Sequence, residues 1–205
     1  MTGYKLVNLK LMISALGEDQ VKAILSPFSC PQNPDVEDFL HRKAIDFAKH
    51  GWAQTHLVFA SYKEQPVLAG YFSLANKQII VSDDGRHSLG KSLRKSIREF
   101  SIFDLRTRTH YIAAPLIGQL GKNFTNGYNR LITGDELLKL ACDKIAEVQL
   151  VLGGRFAYVE CEDKPKLVQF YTRNGFVEFD RRKLDRDEVS TLDGQYLVQL
   201  FRKLK

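Results

Sequence analysis

The sequence predicts a mixed α/β sheet with helices on both faces. Three observations point to it. Runs rich in β-branched and aromatic residues, such as 55–62 and 67–74, alternate with segments whose apolar residues recur at helical spacing. The 205 residues, 44% of them hydrophobic, can bury a sizeable core as one unit. No internal repeat, low-complexity stretch or linker interrupts them.

Taken in order, residues 4–11 read as a short strand and 17–25 as a short helix. Asn33-Pro34-Asp35 is a helix start: asparagine caps, proline suits the first turn, and Asp35 with Glu37 favours the positive end of the dipole. Val36, Phe39, Leu40, Ala44, Phe47 and Ala48 then form an apolar face that lasts until Gly51. Residues 55–62 and 67–74, joined through Lys63-Glu64-Gln65-Pro66, read as an antiparallel hairpin. Asp83-Asp84-Gly85 is a turn, after which Leu89, Leu93, Ile97 and Phe100 share one face of a basic amphipathic helix. Residues 110–120 return to strand. The strongest helix is 129–150, with its stripe at Leu137, Ala141, Ile145 and Val148 and with Asp135 and Glu136 in the first turn. Gly153-Gly154 end it, 156–161 is a strand, Pro165 opens a short helix through Tyr171, and strands begin again at Phe176 and Tyr196.

Composition excludes several function classes. No apolar stretch approaches the roughly 18 residues that cross a bilayer, and residues 1–10 carry charge without a signal core, so a soluble, unexported protein without membrane partners is expected. Cys30, Cys142 and Cys161 lie far apart with no CxxC spacing, which suits reduced cytoplasm better than a disulfide framework or a cysteine-built zinc site. The five histidines show no HxxxH or HxH spacing, so no metal is expected. The net charge of +6 is concentrated: residues 86–108 hold Arg86, Lys91, Arg94, Lys95, Arg98, Arg106 and Arg108 against Glu99 and Asp104. Such a concentration steers an anionic partner without specifying which one.

Two segments can carry chemistry. The loop before the long helix contains Gly121, Gly127 and Gly134, so free amides at a helix start can approach a phosphate, although an ordinary helix start has the same look. In Phe170-Tyr171-Thr172-Arg173-Asn174-Gly175-Phe176, a tyrosine at a helix end precedes a chain reversal; its phenol can donate a proton at a cleft or simply pack.

Together, and in this order, the two segments resemble the GCN5-related N-acetyltransferase superfamily, in particular its small bacterial toxin-like acetyltransferases. The resemblance runs through the hairpin, the strand ending Leu116-Ile117-Gly118-Gln119-Leu120, the stretch Asn129-Arg130-Leu131-Ile132-Thr133-Gly134-Asp135-Glu136-Leu137-Leu138 and the Tyr171 segment. It implies a mostly antiparallel sheet of about six or seven strands with a splayed central pair, one domain over residues 1–205, and a basic helical insert at about 76–108. It also implies acetyl-CoA as acetyl donor, lying between the splayed strands. Leu120, Gly121 and Lys122 fall where the family pairs backbone groups with the pantetheine arm. Asn129, Arg130, Leu131, Ile132, Thr133, Gly134 and Asp135 fall at the pyrophosphate loop. The family has Gln or Arg, two residues, Gly, any residue, then Gly or Ala there; Asn129 and Ile132 depart from that pattern and Gly134 keeps it. Tyr171 falls on the tyrosine taken as general acid for the departing thiolate, in a direct transfer that needs no covalent enzyme intermediate. Cys161 is the alternative acetyl acceptor, although a cysteine on such a strand is more often a small buried hydrophobe. Glu160 and His110, on strands expected near the centre of the sheet, are candidates for a proton relay, but neither is singled out as the base.

The expected function is therefore an acetyl-CoA-dependent N-acetyltransferase acting on a primary amine of a small molecule, a protein or an aminoacyl-tRNA. The tRNA would be met by Arg94, Lys95 and Arg98 of the insert; a solvated helix is the plainer reading of those charges. Two alternatives stay open: a non-catalytic CoA-binding regulatory domain, and a basic nucleic-acid-associated binding protein. A homodimer is compatible with all three.

Overall fold

The computed structural model describes residues 3–83, 89–186, 188–189, 192 and 194–204. Asp84, Gly85 and Arg86, on which the expected turn and the first basic residue of the insert fall, lie outside them. The strands are β1 (Tyr4–Asn8), β2 (Gln54–Tyr62), β3 (Gln65–Ala75), β4 (Gln78–Ser82), β5 (Ile102–Asp104), β6 (Thr109–Ala113), β7 (Leu116–Lys122), β8 (Phe156–Glu162), β9 (Val177–Lys183) and β10 (Tyr196–Lys203). The helices are α1 (Leu9–Leu16), α2 (Glu18–Leu25), α3 (Pro34–Asp38), α4 (Ala44–His50), α5 (Lys91–Phe100), α6 (Gly134–Leu152) and α7 (Pro165–Arg173). The seven-stranded sheet runs β1-β2-β3-β7-β8-β10-β9, and a second sheet runs β4-β6-β5. The pairs β1–β2, β2–β3, β8–β10 and β10–β9 are antiparallel, whereas β7 and β8 are parallel. The mixed, mostly antiparallel sheet expected from the sequence is the one found.

The chain divides into two compact units, Met1–Ala75 with Gly118–Ala141, and Asn76–Ile117 with Cys142–Lys205. In the first, the strand expected over 4–11 stops at Asn8, because its side chain turns to accept from the Leu11 amide at 3.2 Å and caps α1. Asn33 caps α3 in the expected way, accepting from the Val36 amide at 3.3 Å, but a π turn over Phe39–Lys43 separates α3 from α4. The apolar face survives that turn: Val36, Phe39, Leu40, Ala44 and Ala48 are buried together with Leu57 and Tyr71. Tyr71, fully buried, donates its hydroxyl to the Val36 carbonyl at 2.5 Å and fixes α3 on the sheet.

Two glycines permit the closeness of these layers. A Cβ on Gly70 would lie 2.7 Å from the Gly121 carbonyl oxygen, and one on Gly121 would lie 2.3 Å from Val36 Cγ1. Gly121→Ala should therefore destabilise the fold by about 1–3 kcal/mol through overpacking. Combined with Val36→Ala it should cost less than the two single changes together, as read from urea midpoints in a double-mutant cycle; strict additivity would deny the contact.

The second unit corrects three expectations. Residues 110–120 are not one strand but β6 and β7, which belong to different sheets. Pro115 lies between them and has no amide to donate; its carbonyl accepts from the Tyr158 amide at 3.0 Å, while the Ala114 amide bonds back to Lys77 at 3.1 Å. The insert is not helix alone. Strands β4 and β5 flank α5 and pair on either side of β6, with Ile80, Tyr111 and Ile102 in register. His110 is thereby on the small sheet, opposite Val81 and Phe103, and not near the centre of the large one. Helix α5 buries Ile97 as expected, and Lys203 Nζ donates to Ser96 Oγ at 2.8 Å.

Candidate functional site

Strand β7 leads to the first candidate. Its ladder with β8 joins Leu116 to Tyr158 and Ile117 to Val159. Residues Gly118–Lys122 continue the strand in the first unit, with Gln119 donating to Asp35 Oδ2 at 3.0 Å. Leu120, Gly121 and Lys122 lie at the end of β7, in the first unit. Asn123 closes the strand: its amide bonds to the Ala69 carbonyl at 2.8 Å, its side-chain amide to the Leu68 carbonyl at 2.9 Å, and its side-chain oxygen accepts from Ser29 and Thr125, each at 3.1 Å.

The helix expected from residue 129 begins instead at Gly134, preceded by a 3-10 helix over Thr125–Arg130. The cause is a reciprocal capping box. Thr133 Oγ1 accepts from the Glu136 amide at 3.1 Å, while Glu136 Oε2 accepts from both the amide and the hydroxyl of Thr133 at 2.8 Å. The Thr133 bonds, first that from its backbone amide, hold the Glu136 carboxyl below the usual range. Of the expected anion-binding residues, Asn129 fastens Lys122 by its carbonyl (3.1 Å) and Leu131 accepts from the Tyr4 hydroxyl (3.0 Å). Ile132 is buried. Arg130 is exposed and, among the described residues, has no ion-pair partner. The Gly134 amide, first in the helix, has no acceptor there either. Lys122, Arg130 and that amide can attract an anion at a helix N-terminus, against the Glu136 carboxylate already placed there.

The second candidate is Tyr171, near the end of α7. Its ring lies 5.0 Å from that of Phe170 and 5.7 Å from that of Phe176. The Phe176 amide bonds back to the Tyr171 carbonyl at 3.1 Å, and Gly175, at φ 82°, supplies the reversal. The residue is 7% exposed, and its hydroxyl has no hydrogen-bond partner among the described residues. Burial, followed by the nearby Cys161 and Cys142, raises the phenol pKa, which keeps the proton on at neutral pH. Cys161 is itself buried, its thiol pushed up to about 12, so it holds little of the thiolate an acetyl acceptor needs.

Glu160 is held in a network. Arg182 donates to it at 2.7 Å and Gln199 at 3.1 Å, the Tyr158 hydroxyl also donates, and Arg182 binds Glu188 through two 2.7 Å bonds. Burial raises the Glu160 pKa, but these donors outweigh it and leave the carboxyl below its ordinary value, which makes it a weak proton acceptor. His110 is buried, with Nδ1 2.8 Å from Ser101 Oγ and its ring 4.6 Å from that of Phe103. Both candidates for a proton relay are thus engaged structurally. Of the basic residues on α5, Arg94 is half-buried, Arg98 is exposed and Lys95 pairs with Glu99 at 3.7 Å. The capping box was open to discovery in the sequence, since Thr133-Gly134-Asp135-Glu136 fits the [ST]-x-x-[DE] pattern. The Tyr158–Glu160–Arg182–Glu188–Gln199 network had no such signal.

No protein-family model matches the chain, and no curated protein matches it. Solved structures do. A tyrosine-to-phenylalanine mutant of the toxin AtaT superposes with a TM-score of 0.61 at 14% identity, over 99% of this chain and 91% of that one. The chain shares its fold. AtaT complexed with acetyl-methionyl-tRNA gives 0.60 at 17% identity, over 95% and 93%. AtaTR bound with acetyl-CoA gives 0.55 at 15%, over 97% and 93%. The chain has the fold of these toxin structures, the mixed sheet that the resemblance in the sequence implied. Among the described residues, no helix is long and apolar enough to cross a membrane.

Proposed function

We propose that the chain is an acetyl-CoA-dependent N-acetyltransferase whose acceptor is the α-amine of an aminoacyl-tRNA. The observation that carries the reading is the path of the chain after β7, which runs from Leu120, Gly121 and Lys122 through the 3-10 helix to a helix start with an unengaged amide. The residues fit the donor's anionic diphosphate: the Gly134 amide and Arg130 are available to it, Lys122 adds a positive charge while it bonds the Asn129 carbonyl, and the Ile132 side chain is buried. Bound acetyl-CoA supplies an acetyl group activated as a thioester, and a thiolate remains after transfer. Leu120, Gly121 and Lys122 hold the pantetheine arm by backbone groups, and Asn129 to Asp135 line the diphosphate. Tyr171 offers its proton to the departing sulfur. Similar structures contain acetyl-CoA in one case and an acetylated aminoacyl-tRNA in another, which supports both halves of the reading.

The test is sequential. Acetyl-CoA should raise the melting temperature, and thiol release should then be fastest with charged tRNA among a panel of amines. Absence of a thermal shift would remove the donor, and release with small amines alone would remove the tRNA. Reversal of Arg94, Lys95 and Arg98 to Glu should weaken tRNA acetylation at least tenfold and flatten its salt dependence, with acetyl-CoA affinity unchanged. Equal activity on tRNA would assign those charges to solubility. One observation favours a second reading, a CoA-binding domain without turnover: the Glu136 carboxylate occupies part of the anion's place.

A further inference from the structure

Beside the α6 start, the first unit exposes a group of side chains that nothing above uses. Tyr62 ends β2 and is 38% exposed; Tyr128 lies in the 3-10 helix, its ring 5.5 Å from that of Tyr62 and inclined at 63°. Lys63 places its ammonium 5.4 Å from the centre of the Tyr62 ring. The backbone fixes this grouping. The hairpin tip Lys63-Glu64 takes φ 49° and 63°, left-handed at both positions without a glycine. Across from it, Asn126 and Gly127, at φ 52° and 73°, kink the 3-10 helix immediately before Tyr128, and Asn129 is held by Lys122. Lys63, like Arg130, has no anionic partner among the described residues; Glu64 is the acid that shares the tip.

We infer that Tyr62 and Tyr128, with Lys63 and Arg130, form a subsite for a nucleoside phosphate, the 3′-phosphoadenosine end of the acetyl donor. The inference rests on the acetyl-CoA reading above and extends it to the part of the ligand remote from the thioester. An adenine offers a π face that stacks on tyrosine irrespective of its hydrogen-bonding edge, and a phosphate dianion draws the two cations. Arg130 belongs to both regions, because it lies between Tyr128 and Gly134 in the chain. An aromatic pair that served only to fasten the hairpin tip would need no unpaired lysine over its ring.

Titration calorimetry with acetyl-CoA, its 3′-dephospho form and S-acetyl-4′-phosphopantetheine tests this. Tyr62→Ala should weaken acetyl-CoA about tenfold while leaving the phosphopantetheine unchanged, and Tyr62→Phe, which keeps the ring, should bind as the wild type does. Lys63→Ala should weaken acetyl-CoA several-fold but not the 3′-dephospho form. Melting curves of each variant verify the fold independently. Wild-type affinity for acetyl-CoA in Tyr62→Ala and Lys63→Ala, or an equal loss for the truncated ligand, would overturn the subsite and leave the donor assignment standing. Failure of the wild type to bind acetyl-CoA would overturn both.

Discussion

Tyr171→Phe lowers thiol release about a hundredfold and leaves acetyl-CoA affinity within about twofold. The rate effect corresponds to about 2.7 kcal/mol, at the low end of what a positioned proton donor contributes. The low end is expected because burial raises the phenol pKa while a free thiol titrates near 8.5, so full proton transfer to the sulfur is uphill and the phenol acts in part as a hydrogen-bond donor. Stability should move differently. The hydroxyl is without a partner among the described residues, and deleting it removes a desolvated polar group while the ring contacts with Phe170 and Phe176 remain. A variant that melts at or above the wild-type temperature but turns over a hundred times more slowly identifies a hydroxyl kept for chemistry. An unchanged rate would make Tyr171 a packing residue.

Gly134→Asp weakens acetyl-CoA binding ten- to thirtyfold without unfolding the protein. The first position of α6 is favourable for a carboxylate, which completes the helix dipole already met by Asp135 and Glu136, so the melting temperature should hold or rise. The same charge faces the diphosphate. A like charge at a half-exposed position opposes it by about 1.4–2 kcal/mol, the stated loss in affinity. Glu136→Gln is the counterpart and carries the opposite sign. It dismantles the charged half of the capping box and lowers helix stability, yet tightens acetyl-CoA by removing the carboxylate nearest the Thr133 amide. Parallel calorimetric and melting experiments on both variants should show stability and affinity moving in opposite directions. If both quantities fall together in Gly134→Asp, the helix start is structural only.

Elements governed by local chemistry were legible in the sequence. The Asn33 cap, the hairpin of β2 and β3, the Pro165 start of α7 and the reversal at Gly175 each depend on residues within one or two turns of one another, and each was found in place. Elements decided by distant pairing were not. Residues 110–120 have continuous strand character, and only the partners of each half, β4 and β5 for Thr109–Ala113 and β8 for Leu116 and Ile117, separate them into two sheets. The apolar pattern starts α6 too early because Leu131 and Ile132 extend it backwards, although Thr133 and Glu136 mark the true cap. Tyr62 and Tyr128 are remote in sequence, and no local pattern announces their contact. The same holds for Glu160 and Arg182, whose pairing removes a proton-relay candidate that residue type alone left open.

The most direct measurement is a crystal structure of the protein with acetyl-CoA. The account predicts a diphosphate oxygen within about 3 Å of the Gly134 amide, with the acetyl sulfur close to the Tyr171 hydroxyl. A ligand lodged away from α6, or a diphosphate held by other amides with Glu136 still bonded to Thr133, would contradict it.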